Sequence, residues 1–311
     1  MWFDEYLFYR KMTSVKTWIE AFRLRTLPLS LSSIILGSLL AYYTGEFDGW
    51  VFVLALLTTL SLQILSNLAN DYGDSKNGID NTTRVGPQRS VQSGLIPARK
   101  MKAMVIGFIA LSLISGSALV FIGTNGENFW YTLLFLVLGL VAVASAVKYT
   151  VGKNPYGYRG LGDLFVFVFF GLAGVVGTFY LHTNTLPADI FLPATSIGLL
   201  SVGVLNLNNM RDQVSDKNSG KRTMVVILGS DKAKIYHITL LSGAILSGLI
   251  FSVMHFHTPY QFLFLITLPF LIMNIREVMH NTIPKELDPE LRKLAITTLM
   301  FAFSFGIGYL I

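Results

Sequence analysis

The sequence predicts an all-α integral membrane protein, a bundle of nine transmembrane helices forming a single unit over residues 1–311 with no separate soluble domain. Three observations predict it. The composition is 52% hydrophobic and only 14% charged, with a mean hydropathy of +0.57, which does not describe a soluble domain. Nine stretches approach the roughly 20 apolar residues that a membrane crossing needs. The 24 Lys and Arg residues, finally, fall into groups at alternate ends of those stretches.

In order along the chain, residues 1–25 carry Trp2, Phe3, Phe8, Trp18 and Phe22 among charges, a pattern for a segment lying in the membrane interface. It is too polar for the apolar core of a signal peptide. Spans are then expected at Leu27–Tyr43, Trp50–Ala69, Ala103–Ile122, Phe129–Val147, Leu164–Leu181, Ile190–Leu207, Ile235–His255, Tyr260–Ile275 and Leu294–Ile311. Gly171, Gly174 and Gly177 read as a small-residue packing seam on the fifth span, and Pro269 as a kink in the eighth. His255 and His257 lie in an outward connection, far from any acidic cluster.

Basic residues flank the first span and fill the connections after spans two, four, six and eight, while Glu46, Asp48, Glu127 and Asp189 mark the others. The positive-inside rule therefore makes the N-terminus and the four longer loops cytoplasmic in a cell (inner) membrane, and the C-terminus external. A net charge of +6 distributed in this way serves orientation and anionic lipid rather than nucleic acid. The absence of cysteine excludes disulfides, thiolate metal sites and cysteine nucleophiles.

Two acidic clusters end apolar runs at matching places. Asn70-Asp71-Tyr72-Gly73-Asp74, continuing to Asp80, follows span two; Asn208-Asn209-Met210-Arg211-Asp212, continuing to Asp216, follows span six. Asn67, Asp71 and Asp74 are spaced i, i+4, i+7, and Asn208, Asp212 and Asp216 i, i+4, i+8, so each series is expected to form one polar stripe. Polar stripes at membrane depth line cavities, and duplication suggests two equivalent halves facing one another. Such carboxylate edges suit Mg²⁺ and could together grip one diphosphate. One cluster alone would read as a solvated loop. EF-hand spacing is not met around Gly78, and Gly220-Lys221 lacks the rest of a phosphate-binding loop.

The loop from Lys148 to Asp163 is dense in glycine and tyrosine, and its Lys153 and Arg159 can neutralise phosphate oxygens. Its tyrosines can stack on an aromatic ring or face a developing cation. Arg84, Arg89, Lys221 and Arg222 extend the positive rim; each reads equally well as a charge that orients the helices. An interfacial anchor is the plainer reading of the whole loop.

With N-D-x-x-D at 70–74 and D-x-x-x-D at 212–216 in a nine-span bundle, the chain resembles the UbiA-type intramembrane aromatic prenyltransferases, from Trp18 onward. Arg23-Leu24-Arg25-Thr26-Leu27-Pro28, NDYGDSKNGID, VQSGLIP, PYGYRGLGD with VFxFFG, and NNMRDxxxDxxxGKxT are most similar to the branch that prenylates 1,4-dihydroxy-2-naphthoate in menaquinone synthesis. The resemblance implies Mg²⁺ as cofactor, held by Asp71, Asp74, Asp212 and Asp216, with a polyprenyl diphosphate and an aromatic acid as substrates in the lipid bilayer. It adds Asp80 as the later acid of the first motif, and Tyr149 with Lys153 as a Y-x-x-x-K element. Beside the resemblance, the polar stripes and the positive rim make Asn67, Asn70, Arg84, Arg159, Asn208 and Lys221 expected substrate contacts, and Arg23 is expected to hold an acceptor carboxylate or a phosphate oxygen. Rival readings are another acceptor (4-hydroxybenzoate, homogentisate or haem), a lipid diphosphate phosphatase or nucleotidyl-type enzyme, and an ion-coupled transporter.

Overall fold

The computed structural model describes residues 14–77, 89–126, 128–152 and 155–311. Trp2, Phe3, Phe8, Asp80, Arg84 and Lys153 lie outside them. The described residues are predominantly helical, with no strand among them. Helix α1 (Val15–Phe22) is capped by Ser14, whose hydroxyl accepts from the Thr17 N–H. Its Trp18 and Phe22 pack toward Phe108, so part of the expected interfacial segment is covered by protein.

Next come α2 (Leu27–Tyr43), α3 (Gly49–Lys76), α4 (Ala98–Gly123), α5 (Phe129–Lys148), α6 (Gly162–Thr183) and α7 (Phe191–Asn218). A short α8 (Met224–Leu228) precedes α9 (Ser230–Met254), α10 (Pro259–His280) and α11 (Leu287–Gly308). Among the described residues nine helices are long and apolar enough to cross a membrane, α1 and α2 running on as the first. The protein is a multi-pass membrane protein. Local chemistry starts the spans where expected: Asp48 accepts from the N–H groups of Trp50 and Val51 at 2.7 and 3.0 Å, and Pro28 sits in the first turn of α2.

Four elements differ from expectation. Helices α3 and α7 continue past Ala69 and Leu207, to Lys76 and Asn218, so both acidic clusters ride on rigid helix ends. Their backbone hydrogen bonds persist because the polar residues there are buried against neighbouring helices. The middle of α6, Phe167–Val176, is a π-helix, and α10 opens as a 3₁₀ segment (Pro259–Thr267) before Pro269 enters the first turn of its α-helical part.

Small residues set the interhelical distances. A Cβ on Gly171 would stand 2.8 Å from the Ala194 carbonyl oxygen, and one on Gly174 2.6 Å from the Ser33 Cβ, so the seam on α6 packs against α7 and α2 as expected. Gly177 instead faces a cavity, with Phe135 the nearest neighbour at 3.6 Å. Helix α7 runs through the middle of the bundle, and Phe264, Phe301 and Phe305 fill the core between α10 and α11. Apolar side chains of α5, among them Val137, Leu140 and Val141, point outward as lipid-facing residues do.

Candidate active site

A cavity of about 690 Å³ runs through the bundle between α2, α3, α5, α6 and α7. One end is polar, and most of its length is lined by residues such as Ile34, Leu62, Phe135, Phe169 and Leu172. Leu134 and Leu138 of α5 line it while remaining 49% and 40% exposed, so the apolar part opens sideways toward lipid.

The polar end is where the two acidic clusters meet. Asn70 and Asp74, one helical turn apart on α3, line it together with Asn208, Asp212 and Asp216 on α7. Lys221 joins the halves: its Nζ lies 3.4 Å from Asp74 Oδ2 and 3.8 Å from Asp216 Oδ1. Local geometry returns Lys221 to this place. Gly220, at φ +77°, ends α7 in the left-handed conformation, and the Lys221 N–H donates back to the Asp216 carbonyl at 2.9 Å. A Gly220→Ala change should cost about 1 kcal/mol of stability from that φ alone, and lower activity by displacing Lys221; thermal unfolding and a turnover assay in detergent check both.

Asp74 is the most enclosed of the acids. It is fully buried, accepts from the Tyr158 hydroxyl, and pairs with Arg89 at 2.6 Å as well as with Lys221. The Lys221 ammonium also stands 4.8 Å from the centroid of the Tyr158 ring. Burial, followed by the Asp74 charge, raises the Tyr158 phenol above its ordinary range, so it remains a protonated donor. The Arg222 N–H donates to the Tyr158 carbonyl, which ties the glycine-rich loop to the turn after α7.

Tyr149 also lines the cavity. Its phenol is raised by burial first and then by Tyr156, Asp163, Asp216 and Asp74, and it too stays protonated. Glycines make its cradle: a Cβ on Gly157 would lie 2.7 Å from the Tyr149 carbonyl oxygen, and one on Gly162 3.2 Å from its hydroxyl. The loop's close backbone approach is thus to Tyr149.

Asp212 is held from its own helix. The buried Arg211 donates to both of its oxygens, at 3.1 and 2.7 Å, and to the Asn208 side-chain oxygen at 2.9 Å. The remaining nitrogen of Arg211 reaches Asp288 at the start of α11, which Arg25 also contacts at 3.3 Å. Arg23 lines the cavity at φ 53°, a left-handed conformation rare outside glycine. That turn is braced by Asn67, whose amide donates to the Phe22 carbonyl at 3.0 Å and to the Thr26 hydroxyl at 3.1 Å.

The structure therefore brings together Arg23, Asn67, Asn70, Asp74, Tyr149, Asn208, Asp212, Asp216 and Lys221. Two expected contributors are not there. Asp71 is turned away from the cavity, each of its oxygens accepting a backbone N–H, from Ser90 at 3.0 Å and Val91 at 3.1 Å. The cavity-facing stripe of α3 is Asn67, Asn70 and Asp74. Arg159 is exposed and outside the lining, because the loop turns its neighbour Tyr158 inward instead. Tyr158, Arg211 and Asp288 carry contacts that the sequence reading did not assign, and Arg89, taken there as part of a rim, is buried on Asp74.

The donor set fits Mg²⁺ in one specific manner. Among the described residues no three acidic or imidazole side chains converge as a protein-only metal cage. Carboxylate and amide oxygens instead divide between two facing helices, with the Lys221 ammonium between Asp74 and Asp216. Mg²⁺ is commonly held in that way, by one or two carboxylates with substrate phosphates and water supplying the rest.

The sequence model of the UbiA prenyltransferase family matches residues 30–307. A Haemophilus influenzae protein named 1,4-dihydroxy-2-naphthoate octaprenyltransferase is 44% identical over 299 residues, 96% of each chain. The Escherichia coli K12 protein of the same name is 42% identical over the same share of both chains. Among solved structures, a UbiA homolog from Aeropyrum pernix K1 shares the fold with a TM-score of 0.69 at 16% identity, over 93% of this chain and 98% of that one. A UbiA homolog from Archaeoglobus fulgidus, bound to DMAPP and Mg²⁺, gives 0.55 at 18% identity, over 91% and 98% of the two chains. With the family's sequence model spanning residues 30–307, and relatives above 40% identity along 96% of the chain, the chain belongs to the UbiA prenyltransferase family.

Proposed function

We propose that the protein transfers a polyprenyl group from a polyprenyl diphosphate to 1,4-dihydroxy-2-naphthoate, with loss of diphosphate and CO₂, to give demethylmenaquinol. The acceptor assignment is supported by the names of the relatives above 40% identity. One observation carries the chemistry: the two acidic helix ends meet through Lys221 at the polar end of an otherwise apolar cavity that opens sideways. A diphosphate fits the first part and a polyprenyl tail the second.

Each group at the polar end has a part in this reading. Asp74, Asp212 and Asp216, with Asn70 and Asn208 beside them, would hold Mg²⁺, which would supply positive charge to a departing diphosphate. Arg89 and Lys221, already paired to Asp74, stand ready to exchange a carboxylate for a phosphate oxygen as the allylic C–O bond breaks. Protonated Tyr149 and Tyr158 present rings that can face the allylic cation and hydroxyls that can donate. Apolar walls exclude water until the carboxylated ring carbon of the naphthoate forms the new C–C bond. Arg23 lies at the same end for an acceptor carboxylate or a phosphate oxygen. The concentration of Lys and Arg near the acidic helix ends supports a cytoplasmic position for them in a cell membrane, with the C-terminus external.

The test is a radiolabelled transfer assay with purified protein in liposomes, given 1,4-dihydroxy-2-naphthoate and a polyprenyl diphosphate, with Mg²⁺ or with EDTA. Prenylated naphthoquinol and CO₂ in the Mg²⁺ arm alone are the expected result. Transfer only to 4-hydroxybenzoate, homogentisate or haem would overturn the acceptor, and ion flux without diphosphate release would overturn the enzyme reading.

A further inference from the structure

Asp71 belongs to the acidic cluster in sequence and leaves it in space. Its carboxylate is buried, 2% exposed, and its two oxygens receive the N–H groups of two successive residues, Ser90 and Val91. These donors open a compact turn. The Ser93 N–H donates to the Arg89 carbonyl at 3.0 Å, Gly94 to Val91 at 3.1 Å, and the fully buried Ile96 to Ser90 at 3.0 Å. The residue immediately before the clamped pair is Arg89, whose guanidinium lies 2.6 Å from Asp74, one helical turn beyond Asp71 on α3.

We infer that Asp71 is a positioning residue: it anchors the 89–96 turn to α3 so that Arg89 is held over Asp74 at the diphosphate end of the cavity. The inference rests on the prenyl diphosphate reading above. Each carboxylate oxygen accepts a backbone N–H, and turning the carboxylate from the 89–96 turn toward the cavity would strand those buried donors, at a cost comparable to that of any lost buried hydrogen bond. Two helix positions only three residues apart thus divide the work. Asp74 faces the reacting groups, and Asp71 fixes the backbone that brings the guanidinium to them.

The experiment measures binding without chemistry. Wild type, Asp71→Asn, Arg89→Lys and the double variant are titrated in detergent with geranyl thiolodiphosphate, a non-reactive donor, in Mg²⁺ and with no acceptor. Hydrogen exchange of the 89–96 amides is followed in parallel. Each single change is expected to weaken binding by about 10- to 100-fold, as loss of an outer-shell orienting partner commonly does. The double variant should be no worse than the weaker single, because both act through Arg89. Asp71→Asn should also speed exchange in 89–96 while leaving the remaining helices protected and the Mg²⁺ half-saturation unchanged. A shifted Mg²⁺ half-saturation with normal protection of 89–96, or effects that multiply, would overturn the proposal in favour of a metal ligand. If Asp71→Asn does not purify folded, Arg89→Lys decides, and wild-type affinity in it overturns the proposal. Failure of wild type to bind the probe overturns the prenyl diphosphate reading along with it, whereas failure only with the naphthoate acceptor touches neither binding nor the clamp.

Discussion

Asp74→Asn should lower turnover by about 10²–10³-fold, the scale on which removing one preorganised electrostatic partner acts. The effect is expected to be this large because three positive or donating groups converge on that one carboxylate: Arg89, Lys221 and the Tyr158 hydroxyl. An amide keeps the size but loses the charge, so the two cations repel across it, and the proposed Mg²⁺ site would lose its ligand from α3. Stability should fall as well, since Arg89 is nearly as buried as Asp74 and its charge would be left partly uncompensated. Rates must therefore be normalised to the folded, monodisperse fraction. Asp216→Asn is the natural comparison, because Asp216 shares Lys221 with Asp74 from the facing helix. Near-normal turnover in folded Asp74→Asn protein would remove the metal assignment from α3 altogether.

Much of this site was legible because its chemistry repeats. Asn70 with Asp74, and Asn208 with Asp212 and Asp216, were readable as carboxylates and amides on helical spacing at the ends of two apolar runs, and the structure lines the cavity with all five. Their mutual approach was an inference from symmetry, and Lys221 supplies the contact. Asp71 was misplaced for a physical reason. On a helix, residues three apart differ by about 60° around the axis, so periodicity alone cannot say which of Asp71 and Asp74 faces inward. The 89–96 turn decides it, through contacts some twenty residues along the chain. The π-helical middle of α6 was equally silent, because hydropathy reports that a run is apolar and not how its backbone is wound. Tyr158 and Arg159 are neighbours with similar claims in sequence, and only the fold of the loop turns one in and the other out.

Arg211 shows the same limit and carries the second large effect. In sequence it is one more cation beside an acidic motif. In the fold it is 2% exposed and grips Asp212 with two nitrogens, while Asn208 and Asp288 take its remaining bonds. Arg211→Ala is expected to destabilise the protein by roughly 3–5 kcal/mol, the range for removing one partner of a buried ion pair. The residue that suffers is Asp212, which would remain buried with its bidentate cation gone. Activity should fall further than the folded fraction does, because a freed Asp212 is no longer aimed at the cavity. Arg211→Lys separates charge from geometry: an ammonium restores compensation for Asp212 but cannot fork across its two oxygens and also reach Asn208 and Asp288. It should recover most of the stability and little of the rate. Asp288→Asn should be the mildest of the three, since Asp288 is 36% exposed and water can replace much of what it offers. Thermal unfolding in detergent, set beside turnover per folded molecule, reads all three. Equal rates in Arg211→Lys and wild type would show that charge alone orients Asp212, and would remove the forked geometry from the account of this site.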